Sequence, residues 1–349
     1  MAYTTVNKPS DFFKPKLYTG NATDNTAITG VGHQPSFLWA KNATDNGTNW
    51  YLIDAVRGVT KEINSNNTDA EGTDATLIKS FNADGFTLGD GSINQSGKDF
   101  ISWNWKANNQ GSSNTDGTIN TTYTSASATS GFSVCQYTGT GANATVGHGL
   151  GAAPKMVIVK QTNTTRDWAV YHKFSHPDGT GAQYYLHLNN SDARATNSAF
   201  WNNTDPTSSV FHLGSNHNVN GSGGTYIAYC FADVQGFSQF GSYTGNGNAD
   251  GAFIYTGFTP AFVMVKRTNS TENWFVYDNA RTPINVRNKY ITVDGTGNSS
   301  TADFCDFVSN GFKARVSNSS FNENGSSFLY MAFAEEPLVG TNNIPATAR

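Results

Sequence analysis

Charge is scarce in this chain. Charged residues make up 14% of its 349 residues, with 22 Lys+Arg against 26 Asp+Glu and a net charge of −4. Soluble domains usually carry about 25%. With no basic excess to neutralise phosphates, nucleic acid is excluded as a partner. No run of 18 apolar residues occurs, so no helical membrane insertion is expected. The opening Met1-Ala2-Tyr3-Thr4-Thr5-Val6-Asn7-Lys8-Pro9 has no apolar stretch, so no secretory leader is expected. Cysteine is nearly absent. Cys135, Cys230 and Cys305 form no CxxC pair, and their odd number argues against a disulfide framework. They read as small buried apolar residues. Glutamate is confined to Glu62, Glu71, Glu272, Glu323, Glu335 and Glu336, and GxSxG, P-loop and HExxH motifs are missing. The expectation is a protein without catalytic residues, metal or cofactor.

Aromatics, by contrast, are plentiful: 23 Phe, 15 Tyr and 7 Trp. They supply the apolar surface that disordered chains lack. Glycine reaches 35, and Asn and Thr about 40 each.

Three landmarks recur at matching offsets. Tyr-Thr-Gly begins at Tyr18, Tyr137 and Tyr243, and a proline follows 17 positions later at Pro35, Pro154 and Pro260. Each proline opens Pro-x-[Phe/Met]-x-x-x-Lys, ending at Lys41, Lys160 and Lys266. An Asn/Thr-rich turn leads to Trp50, Trp168 and Trp274. The closing signature is Asn-x-x-Gly-x-x-[Phe/Tyr]-[Ile/Leu], with Asn94, Asn220 and Asn322 followed by Gly97, Gly223 and Gly325. The chain therefore reads as a threefold repeat. It divides into an N-terminal arm (1–11), unit 1 (12–106), a Ser/Thr/Asn/Gly linker (107–130), unit 2 (131–235), unit 3 (236–336) and a polar tail (337–349).

The recurring segments are five to seven residues long, rich in Val, Ile, Phe, Tyr and Trp, and bounded by Gly, Asn and Pro, which is strand chemistry. Both alternating faces of Phe37-Leu38-Trp39-Ala40 and its relatives are apolar, as in a strand packed on two sides. The fold expected is all-β: three tandem antiparallel β-sandwich units of jelly-roll or lectin-like type, with a propeller-like closed ring as the second choice. Proline is expected at the first strand position, and Asn and Gly of the closing signature at turn positions with positive φ. The tryptophans read as core residues, with glycan stacking as the functional alternative. The lysines are expected to snorkel. Asp54 with Arg57, and Asp278 with Arg281, read as local pairs tying down a turn.

Unit 2 holds six of the seven histidines. His172, His176, His212 and His217 are the candidate ligand-binding residues, since imidazole binds metals and titrates near neutrality. No metal-ligating spacing supports a metal site, and scattered surface histidines on long loops are the simpler reading.

The combination of Tyr-Thr-Gly, Pro-x-Phe-x-x-x-Lys, Asp-x-x-Arg-Gly at Asp54 to Gly58, Asp84-Gly85-Phe86, and Tyr226-Ile227-Ala228-Tyr229-Cys230-Phe231-Ala232 resembles a family of β-rich, tail-fibre-like virion proteins of marine tailed phages. The resemblance runs from about Tyr3 to Pro337 and supplies no catalytic or binding residues. It implies a component of the exposed virion surface. The expected function is a tail fibre or receptor-binding appendage that attaches to a host surface glycan or protein. Head decoration without a host ligand, and a polysaccharide-degrading tail enzyme, are the alternatives. Other virion proteins are expected partners, as is a homo-oligomer with a trimer favoured. The arm is expected to dock on a neighbouring subunit.

Overall fold

A computed structural model describes residues 3–339. The architecture is all-β. Helix is limited to single turns such as Ser198–Trp201 and His217–Asn220.

The same four-stranded antiparallel sheet is built three times. In unit 1 the first strand, Phe13–Thr19, pairs with the closing strand, Asp99–Trp105, which pairs with the second, Phe37–Asn42, and that with the third, Trp50–Asp54. Unit 2 repeats the order with Phe132–Thr138, Thr225–Phe231, Met156–Gln161 and Ala169–His172. Unit 3 does so with Ser238–Thr244, Ser327–Pro337, Phe258–Arg267 and Trp274–Asp278. Register matches too: Tyr18, Tyr137 and Tyr243 lie opposite Phe100, Tyr226 and Phe328 and stack on them at 5.4, 5.2 and 5.0 Å. The three hydroxyls donate to the carbonyls of Ile93, Val219 and Phe321.

Two-sided apolar strands follow from two cores. Phe37 and Trp39, Met156 and Ile158, and Phe262 and Met264 face one central cluster to which all three units contribute. Leu38 and Ala40, Val157 and Val159, and Val263 and Val265 face three separate peripheral clusters. Each peripheral cluster is roofed by outer strands, which form a separate small sheet in units 1 and 2 and the far end of one eight-stranded sheet in unit 3. Their equivalent pairs are Ile28 opposite Phe86, Val146 opposite Phe211, and Ile254 opposite Phe312. Every unit is thus a two-layer sandwich, and the inner layers close into a ring. Phe37 stacks on Tyr229 at 4.3 Å between units 1 and 2, Phe13 meets Phe333 at 4.7 Å between units 1 and 3, and Phe231 meets Phe240 at 6.0 Å between units 2 and 3.

The joints repeat as well. Each tryptophan indole is buried and donates to a carbonyl of another unit: Trp50 to Thr292, Trp168 to Asn64, Trp274 to His187. The lysines do not snorkel. They are buried, and each ammonium ties its own turn to a second unit: Lys41 to Thr296, Lys160 to Thr68, Lys266 to Ser191, all through carbonyl oxygens. Burial pushes all three down to about 8. Asp54–Arg57 and Asp278–Arg281 are ion pairs of 2.7 Å, but buried, and both carboxylates accept across a joint, Asp54 from the Tyr229 hydroxyl and Asp278 from the Trp103 indole.

Several boundaries differ from the sequence reading. The segment 107–130 is not a loose linker. Its strand Tyr123–Ser127 pairs along Phe132–Thr138, and Ile119 is buried in the unit 2 core. The arm folds on its own chain: Val6 enters the central core, and the Tyr3 hydroxyl donates to Gly257 O at 2.7 Å. Pro35 and Pro154 precede their strands, and Pro260 sits inside one at a bulge. Gly97, Gly223 and Gly325 take φ of +71°, +72° and +73° as their turns require. The asparagines do not. Asn94, Asn220 and Asn322 are buried pins whose Oδ1 accepts from the backbone N–H of Asn21, Thr140 and Asn246. Pro337 ends the last strand, and the rest of the predicted tail beyond 339 lies outside the described residues.

Candidate binding surface

The histidine candidates are not brought together. His172 occupies the position of Asp54 and Asp278 at the joint between units 2 and 3. It is fully buried, with Nε2 3.2 Å from Tyr330 O, and Nδ1 accepts from Phe174 N. Burial pushes it down to about 3. Both ring nitrogens are thus engaged within the joint. His176 stacks on Tyr184 at 5.1 Å and contacts Asp178 at 2.7 Å. His212 is half-buried on the outer strand Val210–Leu213. His217 is exposed at the start of a helical turn, where its carbonyl accepts from the Tyr226 hydroxyl. Among the described residues no group of three His, Cys, Asp or Glu side chains is placed to hold a metal. All three cysteines are buried and free.

Two features break the internal symmetry. The first is a cavity of about 360 Å³ at the joint of units 1 and 3, lined in part by Pro15, Leu17, Ala280 and Ala334. Register explains it. Pro15 is the counterpart of Val134 and Phe240, and Ala280 of Val56 and Phe174. Where units 2 and 3 meet, both positions are phenylalanine; here both are small, and space remains.

The second feature is apolar and exposed. Among the described residues the exposed large hydrophobics are Leu17 (40%), Phe253 (49%), Tyr255 (53%) and Ile284 (66%). Three of these four lie on the outer layer of unit 3. Strand Phe253–Tyr255 is the last strand of the unit 3 sheet, and its alternation points Ile254 inward and both rings outward. Tyr255 lies in register with Gly311 and Val308, and Phe253 with Lys313 and Asp306. Ile284 precedes Asn285, which exchanges hydrogen bonds with the Phe307 backbone on the strand next but one to Phe253–Tyr255. The Tyr3 ring sits beside Tyr255 and closes one end. Burial and the Tyr255 hydroxyl push the Tyr3 phenol up to about 12. Lys313 pairs with Asp250 near the other end.

Counterparts of Phe253 are Ala27 in unit 1 and Thr145 in unit 2; those of Tyr255 are Thr29 and Gly147. Rings therefore replace small residues on one unit of three. The surface was missed in the sequence because the outer strands are three or four residues long and carry no landmark. Aligning Ile28, Val146 and Ile254 would have exposed it.

Comparison with known proteins adds the family alone. No curated protein and no solved structure matches the chain. The model of a domain of unknown function, DUF7483, matches residues 8–337, and the chain belongs to that family.

Proposed function

We propose that the chain is a structural, adhesive component of a tailed-phage particle, a tail fibre or receptor-binding appendage, and that it attaches through the outer face of unit 3. The observation that carries this reading is the exposed pair Phe253 and Tyr255. Contiguous exposed apolar residues on an otherwise polar protein mark interaction sites, and these two stand where the other units carry small residues. A ring closed on three sides by buried joints supplies a rigid mount. The resemblance to tail-fibre-like virion proteins supports the particle, and the low charge suits a surface whose contacts depend little on salt.

The purified full chain is expected to bind cells of the propagating host and to compete with infection. The double variant Phe253→Ser, Tyr255→Ser should fold with unchanged melting temperature and lose at least tenfold in cell binding. Equal binding by that variant would remove this face from the proposal. Location of the protein on the head by electron microscopy would replace attachment with decoration.

A further inference from the structure

Among the described residues no strand pairs with the outer edge of Phe253–Tyr255, whereas the same edge in unit 2 is occupied. In unit 2, residues 117–119 of the chain lie parallel to strand Ala144–Gly147, with Ile119 bridged to Val146. Thr145 makes both backbone bonds: its N–H donates to Thr118 Oγ1 at 2.8 Å, and its C=O accepts from Ile119 N at 2.9 Å. Gly117 passes so close that a Cβ there would stand 2.4 Å from Thr145 O. Ile119 itself is buried.

Phe253 is the counterpart of Thr145. In strand Phe253–Tyr255 the ladder to Gly311–Ala314 uses alternate residues. Ala314 N donates to Ala252 O, and Thr256 N donates to Asn310 O. Antiparallel pairing therefore turns the N–H and C=O of Phe253, and those of Tyr255, away from the ladder and toward the edge. Edge strands of this kind are templates for a further strand. The usual protections, a proline, a bulge or a row of lysines, are missing from Phe253-Ile254-Tyr255 itself.

We propose that this edge takes an extended polypeptide segment of a partner protein, laid parallel to Phe253–Tyr255 as residues 117–119 lie on unit 2. The segment carries glycine at the point of close approach, then a Ser or Thr that accepts from Phe253 N–H, then an apolar residue that donates to Phe253 C=O. The rings of Phe253 and Tyr255 flank the seat and shed water from its hydrogen bonds. This is strand addition, in which backbone bonds supply affinity and side chains supply choice. The inference rests on the reading of this face as the attachment surface and names what is attached: protein in extended form, not glycan.

The probe is a synthetic peptide of residues 115–121, Thr-Asp-Gly-Thr-Ile-Asn-Thr, labelled for fluorescence anisotropy and added to the full chain. Saturable binding is expected, with slowed hydrogen exchange at the amides of Phe253 and Tyr255. Phe253→Pro removes the outward N–H together with the ring, and a proline is tolerated where the N–H faces away from the ladder; it should weaken the peptide at least tenfold, against Phe253→Thr, which loses the ring and keeps the N–H. Phe253→Thr, which recreates the unit 2 seat, should keep binding within threefold. Absence of saturable binding overturns the proposal, as does equal binding by Phe253→Pro. Host-glycan binding lost with Phe253→Ser, Tyr255→Ser but untouched by Phe253→Pro would overturn strand addition while leaving the attachment face standing.

Discussion

Each third strand opens with a tryptophan whose backbone N–H is taken by a side chain further along the loop. Trp50 N donates to Asn66 Oδ1, Trp168 N to Asn189 Oδ1, and Trp274 N to Asp294 Oδ1. Two units use a neutral amide and one a carboxyl in the same half-buried place. Burial pushes Asp294 up to about 6, against the hydrogen bond from Trp274 that pulls it down. The sign follows from the raised value. Between its ordinary value near 3.8 and about 6, the folded chain holds a proton that the unfolded chain has released. Stability from this group therefore falls as pH rises through that window, by up to about 1.4 kcal/mol per pH unit, and stays low above it. Asp294→Asn supplies the amide that the siblings use. It is expected to raise unfolding free energy at pH 7 by about 1–3 kcal/mol and to give no gain near pH 3, measured by urea denaturation at both values. The tryptophans were legible in the sequence because a large ring opening an apolar strand recurs at a fixed landmark. Their acceptors were not, because they lie 16, 21 and 20 residues away in loops where asparagine is everywhere.

At the level of strands, the joints and the edges carry the specificity. Closing strands place Trp103, Tyr229 and Met331 at equivalent positions. The first two bring a donor and meet Asp278 and Asp54. Methionine brings none, and the residue at the matching third-strand position is His172, whose ring reaches the Tyr330 carbonyl instead. A carboxylate there would lack the cross-joint donor that Asp54 and Asp278 have. This explains why Asp-x-x-Arg recurs in two units and not in the third, a lapse that local sequence cannot interpret because the partner sits about 160 residues away. His172 is expected to make the joint acid-sensitive. Its folded value is depressed, so its contribution is present above about 6.5 and lost as pH falls toward 3. His172→Gln keeps a donor to Tyr330 and removes the titration. Between pH 6 and 4 the variant should lose less stability than the parent, by about 1 kcal/mol per pH unit, read from the shift of melting temperature with pH. Edges were equally illegible. The first strand of unit 2 is covered by Tyr123–Ser127, a segment whose Ser/Thr composition reads as linker. In unit 3 the Phe240 N–H is capped by the Asp233 carboxylate, and unit 1 carries Lys14, Pro15 and Lys16 on the strand itself. These are three different answers to one hazard, an unpaired sheet edge.

For the molecule as a whole, the arrangement of the cores decides how it unfolds. The all-β class was readable from strand chemistry, and the repeated units from landmark spacing, since that spacing is fixed within one unit. Their closure into a ring stood only as the second choice, because it depends on contacts between residues more than 150 positions apart, such as Trp50 with Thr292 and Tyr229 with Asp54. Closure changes the energetics. Three independent sandwiches would each bury one face of the inner sheet alone and leave Phe37, Phe262, Phe231 and their neighbours exposed at its back. In the ring those residues share one cluster, and burying each large apolar side chain is worth about 1.5–3 kcal/mol. Removing any unit therefore strips the inner face of the other two and unpairs the joint lysines and aspartates as well. Unfolding of one unit must then carry the others with it. Calorimetry of the full chain is expected to show a single endotherm with van't Hoff and calorimetric enthalpies equal, although a chain of this length ordinarily unfolds in steps. Three independent units would give a ratio near one third. Trp168→Ala, which opens the unit 2 joint and its share of the central core, is expected to move the whole endotherm to lower temperature without splitting it. A second transition left at the parental temperature would mean that units 1 and 3 stand without unit 2, and the shared core would not be what holds the ring together.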